Sequence, residues 1–171
     1  DLYSLGRAKI GELIGDLNIV VGDSMSIDDL IPGRGEIFVH QEGGYDLPLS
    51  SMSDGFLQVL NILLGIYSIN HFWELAEKHG VKLKGIILVE IFDAGVHVDW
   101  LVNFINLIID RKMRVKLVAE LHTGLLLSSA IAHGYPAYYV YGGRTRKLTK
   151  DNIADLELFK REMSAYREVV R

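Results

Sequence analysis

The stretch Lys84–Trp100, KGIILVEIFDAGVHVDW, decides the fold predicted for this chain. It opens with an apolar run, Ile86–Glu90, that ends on a carboxylate. A run of this length, bounded by Gly85 and a polar turn, predicts a strand buried on both faces. In open α/β sheets, ligands bind beyond the carboxyl ends of such strands. The polar residues that follow this run are therefore the first candidates for chemistry.

The turn after the predicted strand concentrates side chains that can bind ligands or move protons. Glu90 ends the strand, and the turn adds Asp93, Gly95, His97 and Asp99. A single acid in a turn is most often a solvated surface charge. Four titratable groups this close together favour a functional site.

Composition limits the class of protein. The 171 residues predict one α/β domain, are 49% apolar, carry a net charge of −4 and include no cysteine. The charge gives no overall basic footprint for nucleic acid, and the missing cysteines fit a cytoplasmic location. The longest apolar stretch, Phe56–Ile69, is interrupted by polar residues and predicts a core helix rather than a membrane span.

Apolar runs alternate with helical patterns along the rest of the chain. This order predicts an α/β fold with a mostly parallel central sheet, flanking helices and a small N-terminal antiparallel β element. We divide the predicted domain into residues 1–49, 50–150 and 151–171. The predicted elements are a helix over about Leu2–Ile14, strands Leu17–Val21, Gly35–His40 and Tyr45–Leu49, helix Phe56–Lys78, strand Ile86–Glu90, helix Trp100–Asp110, strand Val115–Glu120, helix Gly124–Ala132, strands Ala137–Tyr141 and Arg144–Leu148, and an amphipathic helix from about Lys150.

A second strand end carries further polar groups. Strand Val115–Glu120 is followed by Leu121 and His122. If it lies beside Ile86–Glu90, then Glu90, Asp93, Glu120 and His122 face one crevice. Carboxylates suit Mg²⁺, and a histidine there can contact a phosphoryl oxygen or transfer a proton. His122 by itself could equally be a core histidine.

The start of the long helix is a third candidate. Ser53 or Asp54 is a plausible N-cap, followed at once by Gly55. A helix start presents free backbone N–H groups, an arrangement that binds anions. Capping alone is a sufficient reason for these residues, because every helix needs a cap.

Taken in order, SDGFLQ (53–58), IILVEIFDAGVH (86–97) and VAELHTG (118–124) resemble the distal half of an ATP-binding-cassette-type ATPase. More narrowly, they resemble soluble predicted ATPases of the AAA and SMC-like branch, which includes DNA-repair and chromosome-organising ATPases. The resemblance implies ATP and Mg²⁺ as cofactors. It also implies these roles: a γ-phosphate-binding signature motif at Ser53, Asp54, Gly55 and Gln58, a Walker B metal position at Glu90, a D-loop at Gly95 and His97, and a switch histidine at His122.

The departures from that family pattern bear on activity. The motif G-x-x-x-x-G-K-[ST] occurs nowhere in these 171 residues. Ile91 stands where the family has its catalytic glutamate, so general-base assistance worth a factor of about 10²–10⁴ would be lost. Asp93 is the nearest substitute carboxylate, and Glu120 places negative charge where a triphosphate would approach. We therefore predict a lobe that does not hydrolyse ATP by itself.

Two alternatives stay open. The first is a catalytically silent structural domain, truncated or engineered, that retains only the fold. The second is a metal-dependent phosphoesterase built on Glu90, Asp93, Glu120 and His122. As partners we expect a P-loop-bearing lobe or a second copy, through the helix from Phe56 and the strand Gly35–His40. Nucleic acid is expected only indirectly, and a membrane is not expected.

Overall fold

The computed structural model describes residues 5–33, 35–90, 92–93, 95–111, 115–156, 160–161 and 164. The chain divides into two compact units, Asp1–Glu120 and Leu121–Arg171. The prediction of a single domain stays a prediction. The first unit contains α1 (Gly6–Val21), β1 (Ile27–Pro32), β2 (Ile37–Gln41), β3 (Tyr45–Pro48), α2 (Asp54–Lys78), β4 (Ile86–Val89), α3 (Val98–Arg111) and β5 (Lys116–Ala119), and the second contains α4 (Gly124–Ala132), β6 (Ala137–Tyr141) and β7 (Arg144–Leu148).

Helix α1 is longer than predicted, and the predicted strand Leu17–Val21 is wrong because that segment forms the last turns of α1. Leu13, Leu17 and Val20 are all fully buried. Their spacing of three and four residues places them on one helical face. The side chain of Asn18 accepts from the backbone N–H of Ile27 at 2.9 Å and donates to its carbonyl at 2.8 Å, which docks the start of β1 on the helix.

The predicted antiparallel β element is present as a three-stranded sheet in the order β1–β2–β3. Gly43 and Gly44, with φ of 102° and 84°, turn the chain between β2 and β3. Strand β1 was not predicted, because its sequence IDDLIP contains two aspartates and a proline. Such residues are tolerated on an edge strand, which is where β1 lies.

Helix α2 is a core helix over its first half, as predicted. Phe56, Val59 and Leu63 are fully buried. By length and composition alone, its 25 residues could also cross a membrane, a criterion that core helices commonly meet. The predicted contact surfaces, the helix from Phe56 and the strand Gly35–His40, stay predictions: Phe56 and Val39 are fully buried, whereas Ile37 and Phe38 are half-buried. On α2, the exposed large apolar side chains are Phe72 and Leu75 in its second half.

Strands β4 and β5 pair in parallel, as predicted, with Leu88 opposite Val118. In the described residues this pair is the extent of the parallel sheet. The prediction that β4 is buried on both faces is wrong, because α2 covers only one of them. On that covered face Ile87 lies against α2, and a Cβ added to Gly65 would be 3.5 Å from its Cδ1. On the other face Leu88 is 76% exposed and Val118 57%.

The second unit is built around a small apolar cluster. Ala137, Leu148, Ile153 and Leu156 are buried together, with Leu127 and Ile131 of α4 packed against them. Strand β6 pairs antiparallel with β7. The helix predicted from Lys150 does not begin there: Ile153–Asp155 form a 3₁₀ turn, and Leu156 is extended, with φ −64° and ψ 130°. The other members of its predicted stripe, Phe159, Met163 and Tyr166, lie outside the described residues.

Candidate functional site

Ser53 caps helix α2. Its backbone is extended, and its Oγ accepts from the N–H of Phe56 at 3.3 Å. Asp54 follows as an exposed first-turn acid, which interacts favourably with the positive end of the helix dipole. The remaining N–H groups of the first turn have no acceptor within the helix by geometry. The cap therefore leaves free backbone N–H donors at the N-terminal start of α2. The carboxylate of Asp54 lies beside them and would repel an incoming anion.

The start of α2 contacts the turn that follows β4. A Cβ built on Gly55 would collide with the carbonyl oxygen of Gly95 and lie 3.0 Å from Cα of Val96. Only a residue without a side chain allows the two backbones to approach this closely. The structure thus brings the segment SDG (53–55) against Gly95 and Val96, about forty residues later in the sequence.

The turn itself is held by an aromatic anchor. Phe92 is 2% exposed, and its ring lies 5.1 Å from that of Phe104 on α3. Val96 is also buried, whereas Gly95, with φ 70°, is exposed. Ile91 and Ala94 lie outside the described residues, so the prediction for Ile91 stays one from sequence. Phe92 was not predicted as a positioning residue, although it is the one aromatic side chain in this turn.

His97 lies where α3 begins. Its carbonyl accepts from the N–H of Leu101 at 3.1 Å, and its Nδ1 lies 3.4 Å from the N–H of Asp99. The same Nδ1 is 3.5 Å from Oδ2 of Asp99. A neutral ring accepts the backbone hydrogen bond, and a protonated ring pairs with the carboxylate. Both side chains are largely exposed, so His97 is accessible to a partner.

The ends of β4 and β5 lie side by side. The N–H of Glu120 donates to the carbonyl of Val89 at 2.9 Å, and the N–H of Phe92 donates to the carbonyl of Glu120 at 2.9 Å. Glu90 and Glu120 are exposed there, and Asp93 is half-buried. Within the described residues, no three carboxylate, cysteine or histidine side chains converge closely enough to hold a metal. The carboxylate cluster required by the phosphoesterase hypothesis is therefore not formed by Glu90, Asp93 and Glu120.

His122 belongs to the second unit and is exposed. It lies between β5 and α4, and Thr123 is the residue before that helix. The predicted meeting of His122 with Glu90 joins the two units and stays a prediction. Gln58, on the first turns of α2, is half-buried.

An open cleft lies near the start of α2. It is lined by Gly33, Gly35, Glu36, Ile37, Leu49, Ser50 and Leu57. The Glu36 carboxylate accepts from both the backbone N–H and the hydroxyl of Ser50. A phosphate entering this cleft would be repelled by the Glu36 carboxylate, which already accepts the hydrogen bonds that Ser50 can donate. The cleft is therefore a poorer anion site than the exposed N-terminal start of α2.

Sequence reasoning missed a buried ionic group in the first unit. Asp16 of α1 is fully buried, and it accepts from the hydroxyl of Tyr67 at 2.7 Å and from Nη2 of Arg111 at 2.6 Å. Burial, together with the hydrogen bond to Asp16, raises the pKa of Tyr67 well above its ordinary value. The three residues tie α1, α2 and α3 together. The signal in the sequence was an aspartate inside an apolar helical stripe.

Comparison with protein families decides what kind of domain this is. The family described as "AAA domain, putative AbiEii toxin, Type IV TA system" matches residues 1–128, about three quarters of the chain. The chain belongs to this family. The AAA domain thus has an ATPase-like, P-loop NTPase type of fold, which agrees with the resemblance noted above at this coarser level.

Solved structures similar to this AAA domain include SMC heads. An SMC head bound to the C-terminal winged-helix domain of ScpA has a TM-score of 0.56 at 11% identity, over 87% of this chain and 44% of that one. The SMC head from Thermotoga maritima gives 0.49 at 14% identity, over 84% and 48%. A chain from work on ATP-driven dimerization and DNA-stimulated activation of SMC ATPases gives 0.48 at 12%, over 96% and 92%.

The likeness with a TM-score of 0.56 supports an α/β architecture of the SMC-head type, and at 11% identity it shows nothing further. The AAA domain spans less than half of two of these heads. A comparison with curated proteins gives no match.

Proposed function

We propose that this AAA domain is the signature-bearing part of an ATPase and completes a nucleotide site together with a P-loop-bearing lobe. The observation that carries the proposal is the contact between Gly55 and Gly95. It joins the helix start and the turn that resemble the signature motif and the D-loop. Both segments have exposed residues at or beside the contact, namely Ser53, Asp54 and Gly95.

The proposed roles follow from the chemistry of each group. Backbone N–H groups at the start of α2, with Ser53 and Gly55, would contact the γ-phosphate of ATP held by the other lobe. Glu90 would hold Mg²⁺ through water, and Gly95 and His97 would line the interface. His122 would contact the phosphate, and Asp93 is the nearest carboxylate for a water. When bound, ATP–Mg²⁺ would supply the phosphoanhydride bond whose cleavage drives such ATPases.

We further propose that the chain does not hydrolyse ATP by itself. Its sequence has isoleucine at position 91 and no phosphate-cradling lysine motif. Backbone donors and a capping serine can bind an anion, but they cannot activate a water. A cytoplasmic location and association with a second copy or a P-loop lobe accompany this proposal.

Calorimetry with ATP–Mg²⁺ tests the proposal. We expect little heat from the chain alone, and saturable binding when it is mixed with a P-loop-bearing lobe of an SMC-type ATPase. Ser53→Arg should abolish the binding seen in the mixture, because its side chain fills the approach to the helix start. Ser51→Arg is the matched control, since Ser51 is exposed two residues before the cap and donates to Pro48 rather than to α2.

Two results would refute the proposal. One is the absence of binding in the mixture, which would favour the structural, catalytically silent domain. The other is equal binding by the Ser53→Arg and Ser51→Arg variants, because the nucleotide would then not contact the start of α2.

A further inference from the structure

The thirty residues 121–150 have a charge pattern unlike the rest of the chain. They include two arginines and two lysines, and all 22 aspartates and glutamates of the chain lie outside them. Three of these four cations, Arg144, Arg146 and Lys147, lie on strand β7. A chain with net charge −4 thus carries a local basic segment, and that segment is one strand of a hairpin.

The hairpin β6–β7 is buried only at its first residue pair, and the rest of it is exposed. Ala137 and Leu148 are opposite each other in the register and are both buried in the core of the second unit. Beyond that pair, every residue from Tyr138 to Lys147 is exposed. Gly142 and Gly143, with φ of 54° and 72°, form the two-residue turn, and positive φ at both positions matches a type I′ hairpin.

One face of the hairpin combines aromatic rings with arginines. Tyr139 and Tyr141 alternate onto the same face, with rings 6.2 Å apart and inclined by only 12°. Their cross-strand partners, on the same face, are Arg146 and Arg144. Tyr141 is 75% exposed. Among the described residues, neither arginine makes an ion pair.

We propose that this face of β6–β7 binds single-stranded nucleic acid. Exposed tyrosine rings stack on bases, and arginines beside them pair with the phosphates of the same strand. The two rings are spaced by one strand repeat, so they can receive neighbouring bases. Binding would use bases and phosphates without the 2′-hydroxyl, so that DNA and RNA strands bind alike.

Two features favour a nucleic acid strand over other occupants. An acidic protein segment would satisfy the arginines but would leave two exposed ring faces without a stacking partner. A DNA duplex would offer phosphates, but its bases are already stacked inside the helix. A single strand supplies both chemistries at the spacing of the hairpin. This proposal does not depend on the nucleotide site.

Fluorescence anisotropy of the whole chain with labelled oligomers of dT and of U, about twelve nucleotides long, tests the proposal. We expect both strands to bind alike at low salt, and a duplex of the same length to bind at least about tenfold more weakly. The slope of log K against log salt should be about −1.4 for the two arginines of this face. Tyr139→Ala with Tyr141→Ala should weaken binding about tenfold or more.

Matched variants separate stacking from charge. Tyr139→Phe with Tyr141→Phe should retain binding, because the rings remain. Arg144→Gln with Arg146→Gln should weaken binding and reduce the salt slope by about 1.4. Tyr45→Ala and Lys82→Gln, which change exposed residues of the first unit, should leave binding unchanged.

Several outcomes would overturn the proposal. These are no binding at low salt, unchanged binding by the tyrosine-to-alanine pair, or a duplex that binds as tightly as the single strands. If polyglutamate of equal charge displaces the oligonucleotide and the tyrosine variants have no effect, the occupant of this face would instead be an acidic protein segment. Circular dichroism melting of each variant shows whether a loss of binding reflects loss of fold.

Discussion

Gly55 is the residue on which the candidate site depends most. Its missing side chain lets the start of α2 touch the backbone at Gly95 and Val96. Gly55 was predicted from the sequence to belong to a phosphate-binding helix start, because it follows the capping Ser53 by two residues. The contact supplies a physical reason for glycine there that capping does not.

We expect Gly55→Ala to lower the free energy of unfolding by about 1–3 kcal/mol, because the added methyl meets a backbone carbonyl that cannot rotate away. Gly65→Ala is the matched control on the same helix. Its methyl would make an ordinary contact with Ile87, so helix propensity should make it neutral or stabilising by up to about 1 kcal/mol. Urea denaturation measures both. Equal stability of the two variants would contradict the close approach.

His40 on β2 illustrates a titratable pair outside the site. Its Nδ1 lies 2.6 Å from Oδ1 of Asp46 on β3, and this hydrogen bond raises the pKa of His40 above its ordinary value. The protonated pair therefore contributes stability below pH 6.5, and that contribution is lost as the pH rises through the raised pKa.

An NMR titration should find the pKa of His40 above 6.5, and Asp46→Asn should lower it. Asp23→Asn, which changes an acid with no contact to the pair, should leave the titration of His40 unchanged. The same titration curve in wild type and Asp46→Asn would show that the pair does not form in solution.

At the scale of elements, three helices are tied together by one buried carboxylate. Asp16 receives hydrogen bonds from Tyr67 on α2 and Arg111 on α3. Buried charges are tolerated only when they are paired and hydrogen-bonded. This group ties α1, α2 and α3 to one another.

Removing the carboxylate should therefore be costly. We expect Asp16→Ala to destabilise the fold by about 2–4 kcal/mol, since it leaves the Tyr67 hydroxyl buried without its acceptor while half-exposed Arg111 is partly rehydrated. The exposed Asp23→Ala should change stability by less than about 0.5 kcal/mol. Chemical denaturation distinguishes the two, and a similar loss in both would contradict the buried group.

The same group predicts a dependence on alkaline pH. Tyr67 keeps its proton in the folded state at a pH where the unfolded chain loses it, so stability should fall as the pH rises above 10. Tyr67→Phe should show a smaller fall between about pH 9 and pH 11, because it lacks the proton concerned. An equal fall in wild type and variant would rule out the raised pKa.

At the scale of the whole molecule, the exposed face of β4–β5 is the unexpected feature. Ile86, Leu88 and Val118 present apolar side chains to solvent on one side of a two-stranded sheet. Exposed apolar patches of this kind usually mark an interaction surface. We expect this face to support self-association, in addition to the helix from Phe56 and the strand Gly35–His40 expected from the sequence.

Light scattering at high concentration should detect association of the wild-type chain. Leu88→Glu should weaken it about tenfold or more, because the substitution removes about 1.5–3 kcal/mol of apolar burial and adds a charge. Val81→Glu is the control, since Val81 is exposed but lies before β4. A strictly monomeric wild type would contradict the expectation.

Most of the helices and strands, and the type of fold, could be predicted from local signals in the sequence. Gly124–Ala132, Ala137–Tyr141 and Arg144–Leu148 were predicted with the observed bounds, because glycine and proline stops enclose clear periodic runs. The parallel pairing of β4 with β5 followed from the helix between them. The ordered motifs led to the ATPase type of fold that the family match supports.

Tertiary structure alone decided what each apolar run packs against. The segment Leu17–Val21 is helical because it shares a buried face with Leu13, and β4 is exposed on one side because α2 covers only the other. Burial depends on neighbours that are distant in sequence, so a local apolar run cannot reveal it. The contact of Gly55 with Gly95 and the three-helix group at Asp16 arise in the same way, since both require segments forty or more residues apart to meet.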